Sequence, residues 1–487
     1  MPIVAHRFSS THRSARSCAS AALLCAGMFA GCSLPAPQAI EPAALVRAVE
    51  LRADDSSALR EAFASALSTP LPFELPPLQA LTDPADPRHL RAHVLVHAPA
   101  VREARHMWLA AAEADVWAAA VAPLELGAEF EDPPDSKREW EFALTFELLG
   151  LFGAGRAGAE RAIATAEQRR ALASLWEAAW SALHEAERAR VRTLTSRERI
   201  AALRGLVEAA DLDRRRIEIL AEQGYARPDQ VAWAAGVRAE IEDRLVHERI
   251  ELAHREAEFA SAVGWTIGHA REWIANRGLV QRAIEAPQSL ASDPADMRAL
   301  LDAHPALLGE RLEFALAEAR VQAAAREYLP ALRVGPRLKD TGADPFGGGL
   351  LSFELGWPPA VRARIRVLEH EREGARERLE DRLLSMHNQL VASAERLRLE
   401  RDEALPRART VDAGAAAMWT TARERFANAT DVLEEWSFAL EHRVDPLLEL
   451  IDVREHVELA ALDCSEQLGS TDVAGQWLAL TGREQGE

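Results

Sequence analysis

Two periods of hydrophobic spacing alternate along this chain. Over Pro99–Val121 and Ala306–Tyr328 apolar residues recur every three or four positions, which predicts a helix in each segment. A proline follows each one, Pro123 or Pro330, and a period of two takes over. In Leu124–Glu131 and Glu139–Leu148 the even positions are apolar and the odd ones mostly acidic, the mark of a strand with one apolar and one polar face. Leu332–Leu338 and the alternating Leu351, Phe353, Leu355 and Trp357 repeat the pattern. Strands are therefore expected at about 124–131, 139–148, 331–338 and 350–357. The Asp/Pro/Gly stretches between them, 132–138 and 339–349 with Gly347-Gly-Gly349, read as hairpin loops.

Very long helical stretches come next. Arg156–Gln223 carries Ala and Leu at spacings of three and four among Glu and Arg, with a weak point near Thr193–Ser196. At about 1.5 Å per residue it would reach roughly 100 Å. Gly224-Tyr-Ala-Arg-Pro-Asp229 stops it, and Gln230–Ala260 returns. Val361–Phe426 goes out again, interrupted near Pro406. Asn428-Ala-Thr-Asp431 turns, and Val432–Leu468 returns, with Pro446 inside it.

The order helix, strand pair, helical hairpin thus occurs twice. Short matches keep the copies in step at a spacing of about 207 residues: Asp83-Pro-Ala-Asp86 with Asp293-Pro-Ala-Asp296, and Leu144-Thr-Phe-Glu-Leu148 with Leu351-Ser-Phe-Glu-Leu355. The expected organisation is a leader (1–31), a Pro-rich lead-in (32–82), a first copy (83–264), a connector (265–292), a second copy (293–469) and a tail (470–487).

Strand length gives the first functional hint. Strands of about 9–11 residues suffice to cross a bilayer when tilted, apolar side chains outward and polar ones inward. Four strands cannot close a barrel, and an open edge in lipid leaves backbone groups unpaired. Three chains would supply twelve strands and a lumen. Glu125, Glu129, Glu141, Glu147 and Glu354 would line it, with Arg333 and Arg337 as counter-charges, while Phe130, Trp140, Phe142, Phe146, Phe353 and Trp357 would face lipid.

Charge and composition narrow the classes. With 57 Lys+Arg against 76 Asp+Glu the net charge is −19, which excludes a basic nucleic-acid footprint. An acid-rich lumen would favour cations over anions. Residues 1–31 hold Arg7, Arg13, Arg16 and no acid, followed by an apolar run from Cys18 to Phe29, a secretory signal. It ends in Phe29-Ala-Gly-Cys32-Ser, which resembles the lipobox of bacterial lipoproteins and makes Cys32 the expected lipid acceptor. Beyond the leader and lead-in no stretch is apolar enough for a transmembrane helix.

In its duplicated architecture behind a lipoprotein signal, the chain resembles the TolC family of outer-membrane efflux proteins over residues 83–470. His97-Ala-Pro-Ala-Val and His304-Pro-Ala-Leu-Leu are similar to the family's helix start, Pro123 and Pro330 precede the first strands, and Gly224 stands at the first tip. The resemblance implies a mainly helical fold with a small β part. It implies a homotrimer whose shared 12-strand barrel continues into a helical tunnel. The chain would sit in the outer membrane of a Gram-negative-type bacterium, lipid-anchored, and extend into the periplasm. Its function would be a passive exit channel, fed by an inner-membrane transporter through a periplasmic adaptor, with no cofactor beyond the lipid. The family's periplasmic aperture maps onto Asp431, Glu434, Glu435 and Asp229, and tip contacts onto Gly224, Tyr225, Arg227 and Asn428. Thr430 or Asp431 equally suits a helix N-cap, with Glu434 in the first turn. Three positions depart from the family: Asn428 replaces a tip glycine, Pro446 should kink the last helix, and Pro336 suits only an edge or bulge.

Other classes find less support. The histidines form no convincing metal pair along the sequence. Ser437, His387 and Cys464 are isolated from the groups a nucleophile needs, so no enzyme is expected. The alternative is a lipid-anchored periplasmic coiled-coil scaffold that forms no pore.

Overall fold

The computed structural model describes residues 41–47, 89–120, 124–131, 139–147, 155–275, 298, 300–302, 304–326, 331–340, 345–354, 358–428 and 433–469. The chain divides into two units, Met1–Leu51 and Arg52–Glu487. In the first, residues 42–47 are helical and exposed.

The second unit holds the two copies. The first comprises α1 (His89–His97), α2 (Pro99–Ala120), β1 (Leu124–Glu131), β2 (Glu139–Glu147), α3 (Gly155–Glu222) and α4 (Pro228–Val263), and α5 (Ile267–Ala275) follows in the connector. The second comprises α6 (Pro305–Arg326), β3 (Ala331–Asp340), β4 (Pro345–Glu354), α7 (Pro358–Leu399), a π-helical segment (Glu400–Ala404), α8 (Leu405–Asn428) and α9 (Leu433–Leu468). Both α2 and α6 have 22 residues and start at a proline, which suits a position where no N–H is needed. Both α4 and α9 have 36 residues and stop at a left-handed glycine, Gly264 (φ 81°) or Gly469 (φ 71°).

Several expectations change in detail. Sequence alone predicted neither α1 nor a helix in the connector, yet α1 and α5 are both present. Helix α3 runs unbroken for 68 residues through Thr193–Ser196. Thr193 and Thr195 donate to the carbonyls of Ala189 (2.7 Å) and Val191 (3.0 Å), and Ser196 donates to Glu248 of α4 (2.8 Å). The hydroxyls are thus satisfied without opening the helix. The Gly347–Gly349 run lies in β4, paired with Leu338, Arg337 and Pro336, and not in the loop.

The four strands form one antiparallel sheet in the order β1-β2-β3-β4. Pro336 lies between two neighbours, and the β2–β3 ladder passes from Ala143↔Arg337 to Phe146↔Val334 without pairing at Pro336 or Gly335. The imide nitrogen has no hydrogen to give there.

Three buried clusters hold the helices together. One gathers Leu90, Val94, Trp176, Phe259, Trp265, Trp273 and Leu308 from α1, α3, α4, α5 and α6. A second, toward the tips, joins Ile217 and Leu203 of α3 to Ile241 of α4, Phe426 of α8, and Trp436 and Leu440 of α9. A third packs Leu307 of α6 against Met386 and Leu390 of α7 and Cys464 of α9. Ion pairs stitch α3 to α9 along the stretch where the first cluster gives way to the second. Arg188 meets Asp463 (2.9 Å) and Glu466, Glu198 meets Arg454 (3.1 Å), and Arg199 meets Asp452 (2.5 Å) and Glu455 (2.9 Å). Arg188 and Arg199 stand 11 positions apart, about three turns, which keeps both arginines on the α9 side of the helix. Among the described residues no helix is long and apolar enough to cross a membrane.

Candidate functional site

Strand register sorts the predicted wall residues onto two sheet faces. Glu129 stands opposite Glu141, Glu141 opposite Lys339, Glu147 opposite Arg333, and Ala143 opposite Arg337. With the pleat period of two, Glu125, Glu129, Glu141, Glu147, Arg333, Arg337 and Glu354 share one face. Phe130, Trp140, Phe142, Phe146 and Phe353 share the other, with Phe130 opposite Trp140 and Phe142 opposite Leu338. Trp357 lies outside the described residues.

The first tip is built by backbone rules. Gly224 takes φ 81°, its N–H donates to the Ala221 carbonyl (3.0 Å), and the Tyr225 N–H donates to the Leu220 carbonyl (2.8 Å). This Schellman arrangement satisfies two of the carbonyls that α3 would leave bare. Pro228 opens α4, and Gln230 reaches back with Oε1 to accept from the Arg227 N–H (2.9 Å). Tyr225 is exposed, and the exposed Arg227 and Asp229 pair at 3.3 Å.

The second tip is described in part. Asp431 lies outside the described residues; Asn428 ends α8, and Glu434 stands in the first turn of α9. Glu435 is exposed and paired with Arg425 of α8 (2.8 Å). Asp229 and Glu435 therefore each have a guanidinium partner within the chain.

What joins the two hairpins near the tips escaped sequence reasoning. Asp213 of α3, 7% exposed, accepts from the Trp436 indole N–H of α9 at 2.9 Å, while Trp436 itself is fully buried. Burial pushes the Asp213 carboxyl above the usual carboxylate range, against the indole bond and the nearby Arg423 and Arg216. Beside this junction Arg227, Asp229, Gln230, Trp233, Phe438 and Glu441 line a groove of about 420 Å³ between the starts of α4 and α9. The partners are far apart in the chain, so no local spacing could reveal them. Cys32 lies outside the described residues. Among the described residues no group of three or more His, Cys, Asp or Glu side chains is placed to hold a metal ion.

Comparison with solved structures decides the fold. A membrane protein from Pseudomonas aeruginosa superposes with a TM-score of 0.67 at 16% identity, over 80% of this chain and 94% of that one. The Campylobacter jejuni CmeC outer membrane channel gives 0.66 at 11% identity, over 78% and 85%. This is the outer-membrane channel fold. The open state of the Neisseria gonorrhoeae MtrE outer membrane channel matches it too, with a TM-score of 0.63 at 12% identity over 79% and 88%. No family model matches the sequence, and no curated protein matches it. At these identities the likeness speaks for the channel fold, and on that level it bears out the resemblance read from the duplicated sequence.

Proposed function

We propose that three copies of this chain form a passive outer-membrane exit duct. The observation that carries this reading is the four-stranded sheet. It has a charged face and an aromatic face, and among the described residues β1 and β4 pair on one side only. In lipid such edges need partners, and two further copies supply them by closing a 12-strand barrel. The aromatic face then meets lipid, and Glu125, Glu129, Glu141, Glu147 and Glu354 line the lumen with Arg333 and Arg337. Acids outnumber bases there, so passage favours cations.

In this reading the helical hairpins continue the barrel as a periplasmic tunnel, and a lipid on Cys32 anchors the assembly. Asp431, Glu434, Glu435 and Asp229 from three chains narrow its periplasmic end. The tip residues Gly224, Tyr225, Arg227 and Asn428 lie where a periplasmic adaptor would meet the duct and couple it to an inner-membrane transporter. The channel fold of solved outer-membrane proteins supports this role. No step of it requires a catalytic residue.

The test is oligomeric mass in detergent, taken from fractionated membranes with and without heating. A heat-sensitive trimer in the outer-membrane fraction is the expected result. A soluble or peripheral monomer would leave the sheet edges unpartnered and sink the duct in favour of a lipid-anchored scaffold.

A further inference from the structure

Helices α4 and α9 hold equivalent places in the two repeats. Each has 36 residues, and each stops at a left-handed glycine, so Gly264 and Gly469 set an offset of 205 positions between them. Their coverage differs. Helix α9 packs on its hairpin partner α8 and also on α3 of the other repeat, where Arg199 meets Asp452 and Glu455. Helix α4 buries Ala234, Val237, Ile241 and Leu245 in the second cluster. Its other side carries Ala232, Gly236, Ala239, Asp243, Val246 and Ile250, all exposed. Their spacing alternates between four and three, the period of a coiled-coil seam. Transposed by the offset, Ala239, Val246 and Ile250 fall on Val444, Ile451 and Glu455, and α9 buries all three of those.

Helix α8 is the complementary case. It buries Ala408, Ala415 and Ala422 and packs on α9. A neighbouring flank exposes Val411, Gly414 and Met418, again at spacings of three and four. Two ion pairs on α9 give the heights of the two stripes. Asp412 of α8 meets Arg443, and Arg244 of α4 meets Asp445, two residues on. Val411 is therefore level with the stretch Asp243–Val246. Met418, seven residues or about 10 Å nearer the tip, is level with Gly236–Ala239, so the largest side chain of one stripe meets the smallest of the other. The charges are opposite as well: exposed Arg407 and Arg409 lead into the α8 stripe, and exposed Asp243 interrupts the one on α4.

We propose that the exposed stripe of α4 is the docking seam for α8 of a second copy of this chain. Inside one chain, the outgoing helix of the first repeat, α3, covers the returning helix of the second, α9. The same step taken between chains lays outgoing α8 on returning α4, antiparallel as before. The two stripes differ, so neither mates with itself. Each takes the other stripe of the next chain, and repetition of that contact closes a ring. An axis along the helices keeps the heights of the stripes matched from chain to chain. The sheet opens at the same two repeats, with β1 of the first at one edge and β4 of the second at the other, so the seam continues the sheet edges along the helices. This inference rests on the trimer proposed above and names the surface that joins its chains beyond the barrel.

The test uses the full chain in detergent, with Val246→Cys and Val411→Cys made singly and together. Both sites are exposed in the single chain, so the substitutions leave its core alone. The wild type, with Cys464 buried, gives the background. A short bis-maleimide should join chains of the double variant into a covalent ladder that ends at the trimer, and should join none in either single variant. In the trimer each single cysteine should be closed to a bulky maleimide, and it should label fully after heat dissociation. Labelling of the single variants answers the question even if the double variant does not assemble. A trimer whose two cysteines label freely would leave this face to some other protein and overturn the seam. A trimeric double variant without a ladder would overturn it too. Either result leaves the duct standing. A wild-type monomer would overturn the duct and the seam together.

Discussion

Gly264 and Gly224 offer a controlled comparison, because they share a backbone conformation and differ in surroundings. Both have φ 81° and both close a helix by the same pair of hydrogen bonds. An alanine Cβ at 224 would meet nothing within 4 Å, whereas at 264 it would stand 2.4 Å from the His97 carbonyl oxygen and 2.9 Å from its carbon. Gly224→Ala should thus cost only the left-handed penalty, about 1–2 kcal/mol. Gly264→Ala carries that penalty plus a clash between two backbones, neither of which can swing aside like a flexible side chain. Relief needs a shift of about 1 Å between the end of α4 and the α1–α2 junction. That junction is buried, with Ala98 and Val101 each 1% exposed. Overpacking of this kind adds about 1–3 kcal/mol. Urea unfolding followed by circular dichroism, on both variants in the same detergent, measures the difference. Exchange of the α1 and early α2 amides should rise in Gly264→Ala alone. Equal losses in the two variants would mean that the turn from α4 into α5 does not press on His97, and the packing argument would fail.

Arg199 is the densest rung between the hairpins, contacting Glu248, Asp452 and Glu455. Arg199→Met should lose about 3 kcal/mol, because Glu455, 7% exposed, keeps its charge without its main partner, and Arg199→Lys should recover only part. Coincident urea curves for wild type and the methionine variant would contradict this. His304 supplies a pH dependence. Its Nδ1 accepts from the Ala306 N–H at the start of α6, and its Nε2–H donates to the Glu466 carbonyl (3.0 Å). Burial is the main cause that pushes its pKa down to about 4. The unfolded imidazole binds its proton near 6.5 and the folded one does not. The stabilisation is therefore complete above about pH 6.5 and is lost progressively as pH falls to about 4, by up to about 3 kcal/mol. His304→Asn keeps a capping acceptor and should flatten the stability profile over that interval; an unchanged slope would refute the assignment.

Some of this architecture was legible and some was not, for physical reasons. The long hairpins declare themselves because Ala and Leu keep helical spacing over many turns, and Gly224 with Pro228 punctuates the first tip. Strands β1 and β2 are visible because every second side chain is apolar. Strand β4 is only half visible: Gly347, Gly348 and Gly349 carry no side chains, so its first half has no alternation to read. Helix α1 is hidden for the opposite reason. His-Leu-Arg-Ala-His-Val-Leu-Val-His is buried nearly all round, so it lacks the polar face by which a short helix is recognised. Its histidines look isolated along the sequence because the tryptophans that hold them lie 172 and 184 residues away.

The prolines show where a correct local rule meets a tolerant context. Pro446 removes one intrahelical donor, yet α9 runs on through it. The carbonyl it leaves bare belongs to the exposed residue His442, where water can replace the missing bond. At Pro406 the helix adapts instead. The Leu405 N–H donates to the Glu400 carbonyl, five residues back, and the Glu400–Ala404 turn widens just before the ring. The sequence rule locates both faults correctly, but it cannot say whether a turn breaks, widens or hands its carbonyl to solvent. That outcome depends on what packs there. Asp402, four residues before Pro406, is exposed like His442, so both faults lie on turns that face water. The buried face of α9 keeps packing in the cluster it shares with α3 on both sides of Pro446, through Trp436 and Val444 before it and Leu447 and Leu448 after it. The hairpin therefore stays continuous where its sequence argues for a break.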